Sequence, residues 1–255
     1  MKKIVLSLSL VAFCACSNAA TAEIEQAAKE AAKVENKQKA TQKKVSSFTS
    51  SNGVTEICEA LPKIPGGDYS KKDRETENIF CAVDFYSNGV ALCPKTWSTS
   101  PGTIVLALNQ TTSQASNEKS SYCGAPKNTK GSGVGKVAKF KQTMNAKGTS
   151  GTLSQASLMY YHFSRYFDTK AKVPVSVYRE MDRSAHRKRV SVRGYSKSKG
   201  RMVKAGWKHM LEAGRNPKSY PKPDDLFTAD RSKIYGVMIR GKGCLLYTSD
   251  AADEE

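Results

Sequence analysis

The sequence predicts an α+β protein: an export signal and a tether, then a disulfide-bearing β-rich module, then a second lobe of strands and helices. Three observations carry this. Apolar runs separated by Asn-Gly and Pro-Gly turns mark strands between residues 54 and 126. Four of the seven cysteines fall in that same stretch. Beyond residue 127, alternating segments are interleaved with segments whose apolar residues recur every three or four positions, the period of a helix.

The opening "MKKIVLSLSLVAFCACSNAATAE" has two lysines, an apolar run from Ile4 to Cys16 and then small residues, which is the layout of a secretory signal peptide assigned to 1–22. It is too short to span a bilayer as a helix. The expected location is therefore exported, periplasmic or secreted, with lipid attachment at Cys16 as the alternative to cleavage after Ala19 or Ala22. Residues 23–53 read as a tether. Ala, Glu, Lys and Gln dominate to about Lys44, and "VSSFTSSNG" follows as a linker, so the globular part is expected to begin near Val54.

Residues 54–126 form the β-rich module. Cys14 and Cys16 belong to the signal and Cys244 to the tail, which leaves Cys58, Cys81, Cys93 and Cys123. Four cysteines in an oxidising compartment imply two disulfides, with three connectivities open. Each would add about 3 kcal/mol by the chain-entropy argument. No pair has the Cys-x-x-Cys spacing of a zinc site. "CAVDFYSNGVALC" places Asn88-Gly89 between two apolar runs and predicts a hairpin; "GTIVLALN", entered from Pro101-Gly102, predicts another strand.

The second lobe spans 127–243. A glycine-rich loop with Gly131, Gly133 and Gly135 runs into an alternating strand, with Val137, Lys139 and Lys141 on one side and Ala138 and Phe140 on the other. "TLSQASLMYYHFSRYFDT" predicts a helix capped by Thr152, its apolar face made of Leu153, Ala156, Tyr160, Phe163 and Phe167. "KVPVSVYREM" is a strand with Pro174 near its start, "RMVKAGWKHMLEAGR" an amphipathic helix, and "KIYGVMIRG" a last strand.

The tail, residues 244–255, resembles translated sequencing adapter: "CLLYTSDAADE" reads back into the codons of a transposase adapter used in library preparation. On that resemblance the native sequence continues differently after Gly243. Without Asp250, Asp253, Glu254 and Glu255, the formal net charge rises from +18 to about +22, and loss of Lys2 and Lys3 with the signal leaves about +20. Such a charge favours anionic partners, whether nucleotide phosphates, envelope polymers or anionic lipid; export makes nucleic acid an unlikely one. Between Arg183 and Lys218 there are twelve Lys or Arg and one acid, Glu212. Arg187, Lys188, Arg189, Arg201, Lys204 and Lys208 are the expected anion-binding groups.

The loop "GSGVGK" misses both the dinucleotide and the Walker glycine spacing, and His162, His186 and His209 stand apart without a metal or triad pattern. What remains is an order: glycine loop, strand with lysines, helix, strand. "KFKQTMN" and "SLMYYHFSRYFDTKAKVPVSVYREM", with its His-x-x-Arg step and Val-Pro strand, resemble the N-lobe of an atypical secreted kinase-like family. That family is the Golgi casein kinase type, with its bacterial persistence-toxin and phosphatidylinositol 4-kinase relatives. The similarity covers Val137 to Asp182. It implies a truncated kinase-like N-lobe in which Gly131, Gly133, Gly135 and Lys141, or Lys139 one repeat back, contact the phosphates of ATP held with Mg or Mn. It also implies a catalytic base and a metal-binding aspartate beyond Gly243, so that catalytic residues are expected outside this chain and metal ligands are not expected within it. Where the family carries a lysine-pairing glutamate this helix has Ser157, with Gln155 the nearest polar substitute, so a pseudokinase is the alternative to an active enzyme. A non-enzymatic basic module that binds envelope polymers or lipid is the competing expectation.

Overall fold

The computed structural model describes residues 26, 29, 44–97, 99–108, 118, 123, 135–146, 148–149, 151–170, 173–220 and 226–240. The signal peptide, Gly131, Gly133 and the tail lie outside them. The chain divides into Met1–Gln42 and Lys43–Glu255. In the first unit only Gln26 and Lys29 are described, both helical and exposed.

The second unit is built on one seven-stranded sheet of β1 (Lys44–Thr49), β2 (Thr55–Ala60), β3 (Val90–Pro94), β4 (Thr103–Ala107), β5 (Gly135–Gln142), β6 (Ser176–Asp182) and β7 (Lys233–Ile239). Its order is β1-β2-β6-β7-β5-β4-β3, with every neighbouring pair antiparallel. Strands from the stretch before residue 127 and from the stretch after it thus share a single sheet. The helices are α1 (Lys71–Ala82), α2 (Ser154–Tyr166), α3 (Arg183–His186), α4 (Val192–Lys197) and α5 (Arg201–Arg215), with a π-helical turn at Arg187–Ser191 between α3 and α4.

Two expectations at the start of this unit are corrected. The segment read as a linker is β1, paired with β2 across a turn at Ser50–Gly53. Gly53 has φ +78°, and the Ser50 hydroxyl oxygen accepts from the amides of Asn52 and Val54. The hairpin expected around Asn88-Gly89 is not formed, because Cys81 lies in α1 rather than in a strand. A capping box decides this: the Asp73 amide donates to Ser70 Oγ and the Ser70 amide donates to Asp73 Oδ2, which starts a helix in a segment rich in Lys, Arg and Glu. The true hairpin is β3–β4, closed at Lys95 and Gly102.

Register assigns the two faces of the sheet. Leu92, Val105, Ala138, Phe140, Val177, Met181 and Met238 line one face with Cys58, and α1 and α3 to α5 supply Phe80, Ala185, Trp207 and Met210 to the same core. Trp207 is fully buried, stacks on His186 at 6.2 Å and donates from Nε1 to the Lys95 carbonyl at 2.7 Å. Gly194 has to be glycine there, since a Cβ would sit 2.3 Å from the indole ring. The opposite face carries a smaller cluster of Ala91, Cys93, Ile104 and Leu106. Both disulfides form, Cys58–Cys81 joining β2 to α1 and Cys93–Cys123 holding β3, which selects one of the three open connectivities. Such bonds suit an oxidising compartment. No helix among the described residues is long and apolar enough to cross a membrane.

The helix at 154–166 is where expected but rotated. Thr152 is not its cap; the backbone of Thr152 bridges to Met144, and Leu153 holds the N-cap position. Its buried residues are Ser154, Leu158, Tyr161, His162, Ser164 and Arg165, while Leu153, Tyr160, Phe163 and Phe167 face solvent. The cause is polar: Arg165 reaches Asp73 through two 2.8 Å bonds, from Nε to Oδ2 and from Nη2 to Oδ1, and Tyr161 donates to Glu77 at 2.7 Å. These bonds turn the charged and hydroxylated side toward α1.

Candidate functional site

The site begins with β5. Strand alternation puts Phe140 in the core, fully buried against Phe85 and His186, and turns Lys139 and Lys141 to the other face. Lys139 lies opposite Ile104 on β4 and Ile239 on β7, and Lys141 opposite Val237. The stem of Lys139 passes Gly102 at ordinary contact distance, 3.6 Å from where a Cβ would stand. Lys141 is buried at 9 % exposure and Lys139 is half-buried. Gly135 is the first residue of the strand and pairs with Ala107.

The same face continues across β7 and β6 with Tyr235, Tyr178 and Glu180; the two tyrosine rings stack at 5.9 Å. The N-terminal turn of α2 lies over it. Gln155 donates to the Tyr235 hydroxyl at 3.2 Å and accepts from Thr143 Oγ1 at 2.8 Å, while Ser176 Oγ donates to the Ser157 carbonyl at 2.9 Å. The helix brings no carboxylate to the lysines, as its sequence requires. Glu180 on this face is engaged by the Ile57 amide, the Tyr178 hydroxyl and Lys233 Nζ at 2.8 Å, and Glu59 lies opposite Tyr178 on the same face. Lys139 and Lys141 supply the β5 part of this face with two cations. Among the described residues no three His, Cys, Asp or Glu come together as metal ligands.

The basic run divides in two. Arg189 forks onto Glu118, with Nε at 3.0 Å from Oε1, and donates to the Phe85 carbonyl at 2.6 Å. Arg193 donates to the Leu92 carbonyl at 2.5 Å and also pairs with Glu118. Arg183 donates to the carbonyls of Arg231 and Gly214. Arg187 lies against Gly214, its stem 3.1 Å from where a Cβ would stand. Of the expected anion-binding groups, Arg187 and Arg189 are half-buried and take part in the packing of the helical segment. Lys188, Arg201, Lys204 and Lys208 are exposed, together with Lys197, Lys199, Arg215 and Lys218. Along α5 the outward side carries Arg201, Lys204, Lys208 and Arg215, relieved only by Glu212 at 3.8 Å from Lys208.

The histidines are packing groups. His186 is buried between Thr103 and Ser191, and burial, helped by the Arg189 charge, pulls its pKa down to about 3. His162 bonds the Tyr69 hydroxyl at 2.7 Å; burial and the charges of Lys63 and Arg165 lower its pKa to about 4. His209 is half-buried on α5.

A buried polar cluster went unread in the sequence. Glu56 and Arg179 are both 0 % exposed, their nearest charged atoms 4.0 Å apart. The guanidinium lies between the rings of Phe48 and Phe85, at 4.3 and 4.1 Å. Glu56 also accepts from the Tyr86 hydroxyl and from the Asp182 amide. Burial pushes the Glu56 carboxyl up to about 7 against these donors, and pulls Arg179 down to about 10. The signal was present: alternation in "TEICEA" puts Glu56 on the side of the disulfide cysteine Cys58, hence inward.

No family model matches the chain, and neither a curated protein nor a solved structure matches it.

Proposed function

We propose that the Lys139–Lys141 face of β5 holds the phosphates of a nucleotide, and that the protein is the nucleotide-binding part of an exported, atypical kinase-like phosphotransferase. The observation that carries the reading is the side-by-side projection of two lysines from a central strand, under the first turn of the next helix. On the resemblance, Gly131 and Gly133 belong to the phosphate loop, Gly135 begins the strand that follows it, and ATP enters with Mg or Mn. The resemblance puts the metal-binding aspartate and the catalytic base outside the residues it covers, Val137 to Asp182, so nucleotide binding is the part of the reading these residues carry. Gln155 and Ser157 stand where a lysine-fixing acid belongs; an amide orients by hydrogen bonding but supplies no charge, which favours binding over turnover.

The test is stabilisation by ligand. ATP with Mg is expected to raise the melting temperature of the protein, and Lys139→Ala with Lys141→Ala to abolish the rise. No rise, or a rise that survives the double substitution, rejects the reading.

A second reading rests on the outward side of α5, where Arg201, Lys204, Lys208 and Arg215 present a stripe to solvent. Such a stripe fits an anionic envelope polymer or anionic lipid and needs no chemistry. Binding to polyphosphate is then expected to weaken steeply with salt and to drop on Lys204→Glu with Lys208→Glu. A flat salt dependence removes it.

A further inference from the structure

We propose that the exposed side of α2 is the contact surface for a second copy of this chain. Leu153, Met159, Tyr160, Phe163, Tyr166 and Phe167 are 41 to 67 % exposed and follow one another at helical spacing. The rings of Phe163 and Phe167 lie 6.0 Å apart and those of Tyr166 and Phe167 5.0 Å, so the aromatic groups form one surface. At about 150–250 Å² per aromatic side chain, the stripe offers on the order of 600 Å² of apolar surface. That is at the upper limit of what a monomer leaves in water. It approaches the roughly 800 Å² that each partner of a stable complex buries, with the rim supplying the remainder.

The charges around the stripe decide what covers it. Arg165 is the only charged residue of α2, and it is turned inward to Asp73. At the C-terminal end of the helix, the Asp68 amide donates to the Arg165 carbonyl, which places residues 68–75 beside it. Among the described residues, the exposed charges there are Asp68, Glu75 and Asp168 on one side of the balance, Lys71, Lys72, Arg74 and Lys170 on the other. A rim of both signs suits a copy of itself, laid antiparallel so that acids meet bases across a two-fold axis. An anionic bilayer would favour a rim of cations alone. α5 packs through Trp207 and His186 onto Phe140 and turns its cationic stripe to solvent.

Sedimentation equilibrium of the full chain tests this, independently of any nucleotide. The wild type is expected to show a reversible monomer–dimer equilibrium. Phe163→Glu with Phe167→Glu, and separately Met159→Glu with Tyr166→Glu, are expected to raise the dissociation constant roughly tenfold or more, with both disulfides retained. A wild type that stays monomeric where a micromolar dimer would be populated overturns the proposal, as does a dimer insensitive to both pairs of substitutions. Vesicles of phosphatidylglycerol and phosphatidylcholine form the second arm. A monomer that pellets with them, and is released by the same substitutions, overturns the proposal in favour of a bilayer.

Discussion

Arg165 shows how single side chains set this fold. Its guanidinium is 4 % exposed and bonded twice to Asp73. Burial opposes the charge on Asp73, but Arg165 and the Ser70 amide outweigh it and hold the carboxyl below its usual range. Arg165→Ala leaves that carboxylate buried and unpaired, and is expected to cost about 3–5 kcal/mol in urea unfolding. Glu56 acts with the opposite sign. Its folded pKa, about 7, exceeds the unfolded value of 4.5, so its contribution is fully present below about 4.5 and is lost as pH rises through 7. His162 and His186, lowered to about 4 and 3, contribute stability above about 6.5 that is lost as pH falls toward those values. In Glu56→Gln, stability should rise more steeply with pH between about 5 and 7 than in the wild type, because the opposing Glu56 contribution is gone while those of His162 and His186 remain, which unfolding titrations across that range would check. The lysines of β5 and the outward residues of α5 were legible in the sequence because period alone assigns them a side. Glu56, Arg165 and Arg179 were not, since a charged residue on a strand or helix reads as solvent-facing until its partner, far away in sequence, is known.

At the scale of elements, the strands β4, β5, β6 and β7 and the helix α5 follow their sequence periods closely. α2 does not, because its most apolar side is the outer one, and hydrophobic periodicity fixes that a helix forms without fixing which side packs inward. β1 was read as a linker since "VSSFTS" has few apolar residues; pairing with β2 across Ser50–Gly53 supplies what composition lacks. α1 was missed because the Asn-Gly signal drew the preceding apolar run into a hairpin, although Ser70 and Asp73 announce a capped helix. That helix is tied to β2 by Cys58–Cys81. Cys58→Ser with Cys81→Ser is expected to lower stability by about 2–5 kcal/mol, measured by denaturant unfolding. Gly236 is a second constraint: a Cβ would stand 2.2 Å from the Lys141 carbonyl oxygen, so Gly236→Ala should disturb the pairing of β7 with β5 and lower the melting temperature.

For the whole molecule, one sheet organises three surfaces with different properties: the lysine face of β5 beneath α2, the cationic side of α5, and the uncharged outer side of α2. The first is the one we propose for nucleotide phosphates, since Lys139 and Lys141 stand two residues apart on β5 and project to the same side. Titration of ATP and Mg into the protein, followed by calorimetry, tests this most directly. The account predicts saturable binding that Lys139→Ala with Lys141→Ala weakens roughly tenfold or more while both disulfides remain formed. Absence of binding, or equal affinity in the two proteins, would contradict it.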